Sequence, residues 1–390
     1  MAAQAPPGAA AAASGVSEAM EALSLDDNTV AVGTVNLLDR LPAELLTMVV
    51  KRLDEFSAIS LACVSTRCRN AVELQLGRCR RLYIDGFKHW DAIDSDVLSS
   101  LLSRMTGLRE LRVSVSSHTR ARASLMETVA VASGHWTAME ELDLDYMDVP
   151  MIPEWIQRIC TNCSRVTGVR MGLCIGDRCV QAVVSSLPGL RELNVRAGSC
   201  MDPGFGFGEY RRYRSPNQLL SAMARCTQLE SLELSHGVPL SHFLPRSGLP
   251  ALRELSVVFS DISDEDMALV ISHRGLESLS LVRSGPSKRG MAMLSGLPAL
   301  KELNIFTPDH VVCDGVLDRL GSAPALKSLR LGDHYDRPRV TAEGLVRLVR
   351  NCRTLTKLTL DYRDTEETFA CGPDVEEPEL LKKLRAYLAR

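Results

Sequence analysis

The sequence predicts an α/β solenoid preceded by a small helical unit. Three observations carry this. One short apolar signature recurs through most of the chain, segments of helical periodicity separate its copies, and a compact amphipathic stretch stands before the first copy. With 390 residues, of which 45% are hydrophobic and 24% charged, the chain has material for two domains or one elongated repeat array.

Residues 1–36 are rich in Ala, Gly, Pro and Ser and show no sustained apolar periodicity. Ordering them would cost more backbone entropy than burial returns, so a disordered tail is expected. The helical unit follows over 37–78. Leu41, Leu45, Val49 and Leu53 recur at i+4, with Leu46 and Val50 beside them, which makes one broad apolar face on a helix. Asp39 is the expected cap, Pro42 suits the first turn, and Glu44 favours the positive end of the helix dipole. Two shorter helices are expected from about Ser57 and about Arg69.

Over 79–363 one pattern dominates: leucine, two residues, leucine, one residue, leucine. It is written LRELRV, LRELNV, LESLEL, LRELSV, LESLSL and LKELNI, with looser copies around them. The middle apolar residues are Leu82, Leu111, Leu142, Val169, Leu193, Leu232, Leu255, Leu279, Leu303, Leu329 and Leu358. Their spacing stays between 23 and 31 residues except from Leu193 to Leu232, where it is 39. A period in the twenties with this signature is the leucine-rich repeat, here about eleven copies. Within each copy the first, fourth and sixth residues point into a shared core while the third and fifth face out.

Return helices are legible as DSDVLSSLLSRM, EWIQRICTNC, DRCVQAVVSSL, PNQLLSAMARC, DEDMALVISH, DGVLDRLGS and TAEGLVRLVRNC. Stacked parallel strands then line a concave face and the helices a convex one. A solenoid exposes its core at both ends and needs caps. The helical unit covers the first. Over 364–390 an acidic loop is expected, then EPELLKKLRAYL as the second lid, with Leu380, Leu381, Leu384, Tyr387 and Leu388 at helical spacing.

A net charge of -3 and a pI near 6.3 provide no strong field, which argues against nucleic acid as a partner. The first basic residue is Arg40, so neither a secretory signal nor an Arg-rich transit peptide is expected, and no apolar run approaches bilayer length. The expected compartment is cytosol or nucleus, with the twelve cysteines as reduced thiols and Asn162 without a glycan.

Cys160, Cys163, Cys174 and Cys179 have zinc-like spacing, but the repeat register sets Cys163 and Cys174 at opposite ends of an extended segment, too far apart for one metal. Cys163, Cys226 and Cys352 fall three residues before the first strand leucine, the slot held elsewhere by Trp136, Leu187, Leu249 and Leu297. They are expected to be core. Asp143, Asp145 and Asp148 read as solvated acids and not as a calcium loop. GFGFGEY lacks a phosphate-loop ending, and no catalytic constellation can be placed, so no enzyme chemistry, cofactor or metal is expected.

The concave face is where a partner would be chosen. Val258, Val282 and Phe306 occupy one outward column in three consecutive repeats, an apolar stripe on a polar surface. A neighbouring loop folding over that stripe is the bland alternative. Arg170 and Arg196 stand in nearby columns, with Arg112, Asn194, Glu233 and Arg330. Mixed charges of this kind suit a protein or peptide. The 39-residue interval holds a long insertion with Phe205, Phe207, Tyr210 and Tyr213 among Arg211, Arg212 and Arg214, which reads as a recognition loop or a floppy insertion.

LPAELLTMVVKRLDEFSAISLACVS resembles the F-box, and the repeats resemble those of F-box leucine-rich-repeat proteins, in that family's order, over about 37–390. The resemblance implies the substrate-recognition subunit of an SCF-type cullin ubiquitin ligase. In such a subunit the F-box holds a Skp-type adaptor and through it the cullin and RING subunits, while the repeat arc holds a protein substrate for ubiquitin-dependent degradation. Carried over, Leu41, Pro42, Leu45, Leu46, Val49, Leu53, Leu61 and Val64 form the adaptor surface or the packing beneath it. One departure is Cys68, where the family usually has Trp, which removes a large apolar anchor. Two further readings stay open: a ligase-independent interaction scaffold, and a small-molecule receptor of the same architecture, for which the insertion is the hint.

Overall fold

A computed structural model describes residues 41–85, 94–114, 122–144, 152–172, 177–196, 216–307, 311–333, 340–362, 365–372 and 375–389. Three helices come first: α1 (Ala43–Val50), α2 (Glu55–Ala62) and α3 (Thr66–Leu76). Pro42 is the N-cap of α1 and not part of its first turn, because its carbonyl accepts the Leu46 N–H at 3.0 Å. Asp39 lies outside the described residues. The Asp54 and Ser65 side chains cap α2 and α3 by accepting the N–H groups of Ser57 and Cys68. Both helices therefore begin a few residues earlier than the apolar pattern indicates.

Strands and helices then alternate. The strands are β1 (Arg81–Asp85), β2 (Glu110–Ser114), β3 (Glu141–Leu144), β4 (Gly168–Met171), β5 (Glu192–Arg196), β6 (Ser231–Ser235), β7 (Glu254–Val258), β8 (Ser278–Val282), β9 (Glu302–Phe306), β10 (Ser328–Asp333), β11 (Lys357–Tyr362) and β12 (Thr365–Ala370). Among the described residues these twelve form one sheet in sequence order, parallel from β1 to β11. Sequential order with parallel pairing and a return segment after each strand makes this the leucine-rich-repeat solenoid.

The return helices are α4 (Ser95–Ser103), α5 (Arg122–Ala132), α6 (Pro153–Asn162), α7 (Asp177–Ser186), α8 (Pro216–Met223), α9 (Asp264–Ser272), α10 (Lys288–Ala292), α11 (Asp314–Leu320) and α12 (Ala342–Asn351). Between β6 and β7 only a turn of 3-10 helix, Leu240–His242, fits the short interval, where Pro239 and Pro245 deny the chain a longer one.

The register follows the sequence pattern without a slip. Leu82, Leu111, Leu142, Val169, Leu193, Leu232, Leu255, Leu279, Leu303, Leu329 and Leu358 face one another across the whole parallel sheet, each at most 2% exposed. A one-residue shift would turn every one of them to solvent, so burial itself fixes the pairing. Trp136, Cys163, Leu187, Cys226, Leu249, Leu297 and Cys352 fill the preceding slot and are all buried.

At the far end the structure departs from the expected acidic loop. Residues 365–370 form β12, antiparallel to β11, with Leu358 opposite Phe369 and Tyr362 opposite Thr365. Phe369 is buried and so directs the strand despite three acids nearby. The lid α13 (Glu377–Leu388) matches the sequence reading and buries Leu380, Leu384 and Tyr387. At the other end α2 packs on β1 and α3 on α4, which closes the core.

Candidate interaction surfaces

The helical unit divides its apolar residues between interior and surface. Leu46, Val50, Leu61 and Val72 are buried, whereas Leu41, Val49 and Leu53 are half-buried. Leu46 and Leu61 thus serve the packing beneath the surface. Leu45 and Val64 remain 39% and 42% exposed, and Pro42 is exposed. The sequence reading missed Met48, which is 41% exposed and three residues from Leu45 on the same face of α1. Cys68 is fully buried. The position that the resemblance fills with Trp is therefore an interior one here.

On the concave face Arg112, Asp143 and Arg170 are cross-strand neighbours on β2, β3 and β4. Asp143 was expected to be solvated, and the structure corrects this: its side chain is 5% exposed. Its Oδ2 lies 2.8 Å from Arg112 Nε and 3.9 Å from an Arg170 nitrogen. Two long guanidinium side chains on the flanking strands close over it. Partial burial opposes the charge on Arg112, but Asp143 outweighs that and holds the guanidinium above its ordinary value. Asp145 and Asp148 lie outside the described residues.

Val258, Val282 and Phe306 do share one column, on β7, β8 and β9, and all three are half-buried. Two neighbours on β10 stand close to Phe306. Its ring occupies the space a side chain on Gly332 would need, and the Arg330 guanidinium sits 5.1 Å from the ring centroid. Arg330 is itself held by Asp361 and Glu366. Arg196 stands at the end of β5, half-buried. Phe207, Tyr210, Arg211 and Arg212, with the rest of the insertion, lie outside the described residues.

One feature of this face had no signal in the leucine pattern. His236, Phe259 and Arg283 directly follow β6, β7 and β8, and all three have left-handed backbones, with φ of 61°, 52° and 46°. Each turns the chain out of its strand while its N–H still donates to the next strand, to Val258, Val282 and Phe306 in turn. Their side chains stack: the His236 and Phe259 rings are 5.1 Å apart at 15°, and the Arg283 guanidinium lies 5.0 Å from the Phe259 ring. Phe259 is 42% exposed.

Cys160 and Cys163 are buried, which pushes both up to about 12, Cys160 also through its neighbour Cys163, so both stay protonated at neutral pH. Cys179 is buried on α7, and Cys174 lies outside the described residues. Among the described residues no group of three or more His, Cys, Asp or Glu is placed to hold a metal ion. No helix among them is long and apolar enough to cross a membrane.

Comparison with known proteins adds one family. The F-box domain model matches residues 38–77, which contain α1, α2 and α3. No curated protein sequence matches the chain. Solved structures with a similar course include an internalin from Listeria monocytogenes (16% identity, 88% of this chain and 92% of that one, TM-score 0.44). The leucine-rich-repeat-containing protein LegL7 from Legionella pneumophila is another (14% identity, 79% and 91%, TM-score 0.43). A third is a chain of the Rad7 and Elc1 complex in yeast (15% identity, 87% and 95%, TM-score 0.32).

Proposed function

With an F-box domain at residues 38–77 joined to a leucine-rich-repeat solenoid as the premise, we propose that this protein is the substrate-recognition subunit of an SCF-type ubiquitin ligase. The F-box binds a Skp-type adaptor, which links to cullin and RING subunits, and the concave face binds a protein to be ubiquitinated and degraded. The chain supplies proximity and no bond-making chemistry, in the cytosol or nucleus.

The observation that carries this reading is the F-box domain with Leu45 and Met48 exposed on one face of α1, while Leu46 and Val50 of the same helix are buried. A plain cap would bury that face, and an exposed apolar face on a soluble unit is a binding surface. Leu45→Asp with Met48→Asp removes it at positions that contribute little to the core. Tagged wild type should bring down a Skp-type adaptor and cullin from cells, and the double variant, equally stable to heat, should bring down neither. Folded wild type that captures no adaptor overturns the proposal and leaves a ligase-independent scaffold.

A further inference from the structure

The concave face contains a pocket of about 120 Å³ that the apolar stripe does not account for. It exists because Gly168 on β4 stands between Glu141 on β3 and Glu192 on β5, so that one side chain is missing from an otherwise continuous row. Arg170, Asn194 and Glu233 complete the wall. Arg170 is drawn toward Asp143. The side chains of Glu141, Glu192 and Glu233 have no ion-pair or hydrogen-bond partner among the described residues. The Asn194 amide oxygen is buried and also lacks a partner. The pocket therefore offers acceptors and net negative charge, and its complement is a cationic donor.

We infer that the concave face takes an extended protein segment that seats a Lys or Arg side chain in the Gly168 pocket and an apolar side chain on Val258, Phe259 and Val282. This rests on the substrate-receptor reading and names the class of segment recognised. The choice of a cation follows from compensation: Arg112 and Arg170 already share Asp143, whereas the three glutamates face the cleft unmatched. Four strand spacings separate β4 from β8, and with the offset along the strands the two sites are roughly 20 Å apart. An extended chain covers that in about six residues. Beside the apolar site the outward positions Ser256 and Ser280 are small and uncharged, leaving room for a backbone to pass.

The test is selection of a random twelve-residue peptide library displayed on phage against the purified full-length chain, followed by titration of the best peptide in labelled form. Selected peptides should carry Lys or Arg with an apolar residue about six positions away. Glu192→Gln with Glu233→Gln should weaken binding by about tenfold or more, as loss of charge-assisted partners does. Gly168→Leu should do the same by filling the pocket. An added Cβ there meets only ordinary contacts, 3.6 Å from Glu141 and 3.9 Å from Glu192, so the branch point strains nothing, and the variant's stability to heat is measured beside its affinity. An acidic consensus, a consensus without a basic position, no selection at all, or full affinity in the glutamate variant overturns the inference. Adaptor capture by the same protein is scored in parallel. Capture of the adaptor with the wrong peptide class sinks the segment alone, whereas the expected peptides without adaptor sink the ligase reading alone.

Discussion

The carboxylate of Asp314 accepts hydrogen bonds from both the backbone N–H and the hydroxyl of Thr341, at 2.8 and 2.6 Å, one repeat further along the solenoid. The Thr341 hydroxyl in turn accepts the Gly344 N–H and so caps α12. Asp264 does the same for Ser287, at 3.2 and 2.8 Å, before α10. At these two places one repeat thus braces the helix cap of the next, and in both cases a glycine, Gly344 or Gly290, leaves the space that the carboxylate fills.

Gly344→Ala should therefore destabilise the protein although alanine is the better helix former by about 1 kcal/mol. The new Cβ would overlap Asp314, so the carboxylate must leave and both bonds to Thr341 are lost. The expected net loss is about 1–2 kcal/mol in urea unfolding. Asp314→Ala should cost a similar amount, and the double variant clearly less than the two together, since each removes the same bonds. An Ala variant at 344 as stable as wild type would refute this account.

The Tyr387 hydroxyl joins the lid to the last two strands. It accepts the Tyr362 N–H at 3.2 Å and lies 3.0 Å from the Leu360 carbonyl and 2.6 Å from that of Thr365. Tyr387→Phe keeps the ring against Phe369 but takes the single donor from one of the two carbonyls and an acceptor from the Tyr362 N–H, at a cost of about 1–3 kcal/mol. Amide exchange at Tyr362 should accelerate more than at Leu329, which lies one strand further in. Equal protection at both amides in the variant would rule the link out.

The leucine column was legible because a buried period of two has one solution: either all eleven middle residues face the core or none does. The helix α5 was not, since RASLMETVAVA distributes apolar residues around its circumference and has no clear face. Asp143 and β12 were misread for a shared reason. Both carry charge, and charge was taken as a sign of solvent, whereas Arg112 and Arg170 cover the one and Phe369 anchors the other. In the F-box, periodicity showed a broad apolar face but not how α2 and α3 divide it, so Leu46 and Leu45 looked alike. Gly168 was invisible as a pocket because what matters there is an absent side chain between two present ones.

His273 gives the fold a pH dependence whose sign can be worked out. Burial holds its imidazole below the ordinary value, although a ring nitrogen 2.8 Å from the Leu269 carbonyl pulls the other way. Its Nε2 is buried without a partner among the described residues. The unfolded chain therefore binds a proton at its ordinary value near 6.5, and the folded one only at lower pH. The contribution is complete above about pH 6.5 and is lost as the pH falls from there through the folded value. Urea midpoints of wild type should fall more steeply from pH 7 to pH 5 than those of His273→Gln. Parallel slopes would show that another group governs the acid limb.

Thiol reactivity should separate the buried slot from the surface. Cys163 and Cys226 hold the interior position that leucine or tryptophan holds in other repeats, and burial pushes them up to about 12 and about 11. A protonated thiol out of reach of water is a poor nucleophile twice over, because both the thiolate fraction and the collision rate collapse. Cys63 is raised too, first by burial, but it is exposed at the end of α2. Brief alkylation at pH 7.5 followed by peptide mass spectrometry should label Cys63 within minutes and leave Cys160, Cys163 and Cys226 unlabelled until urea unfolds the chain. Early labelling of Cys226 would mean that the repeats around β6 open without global unfolding, and the slot could not then be part of a continuous core.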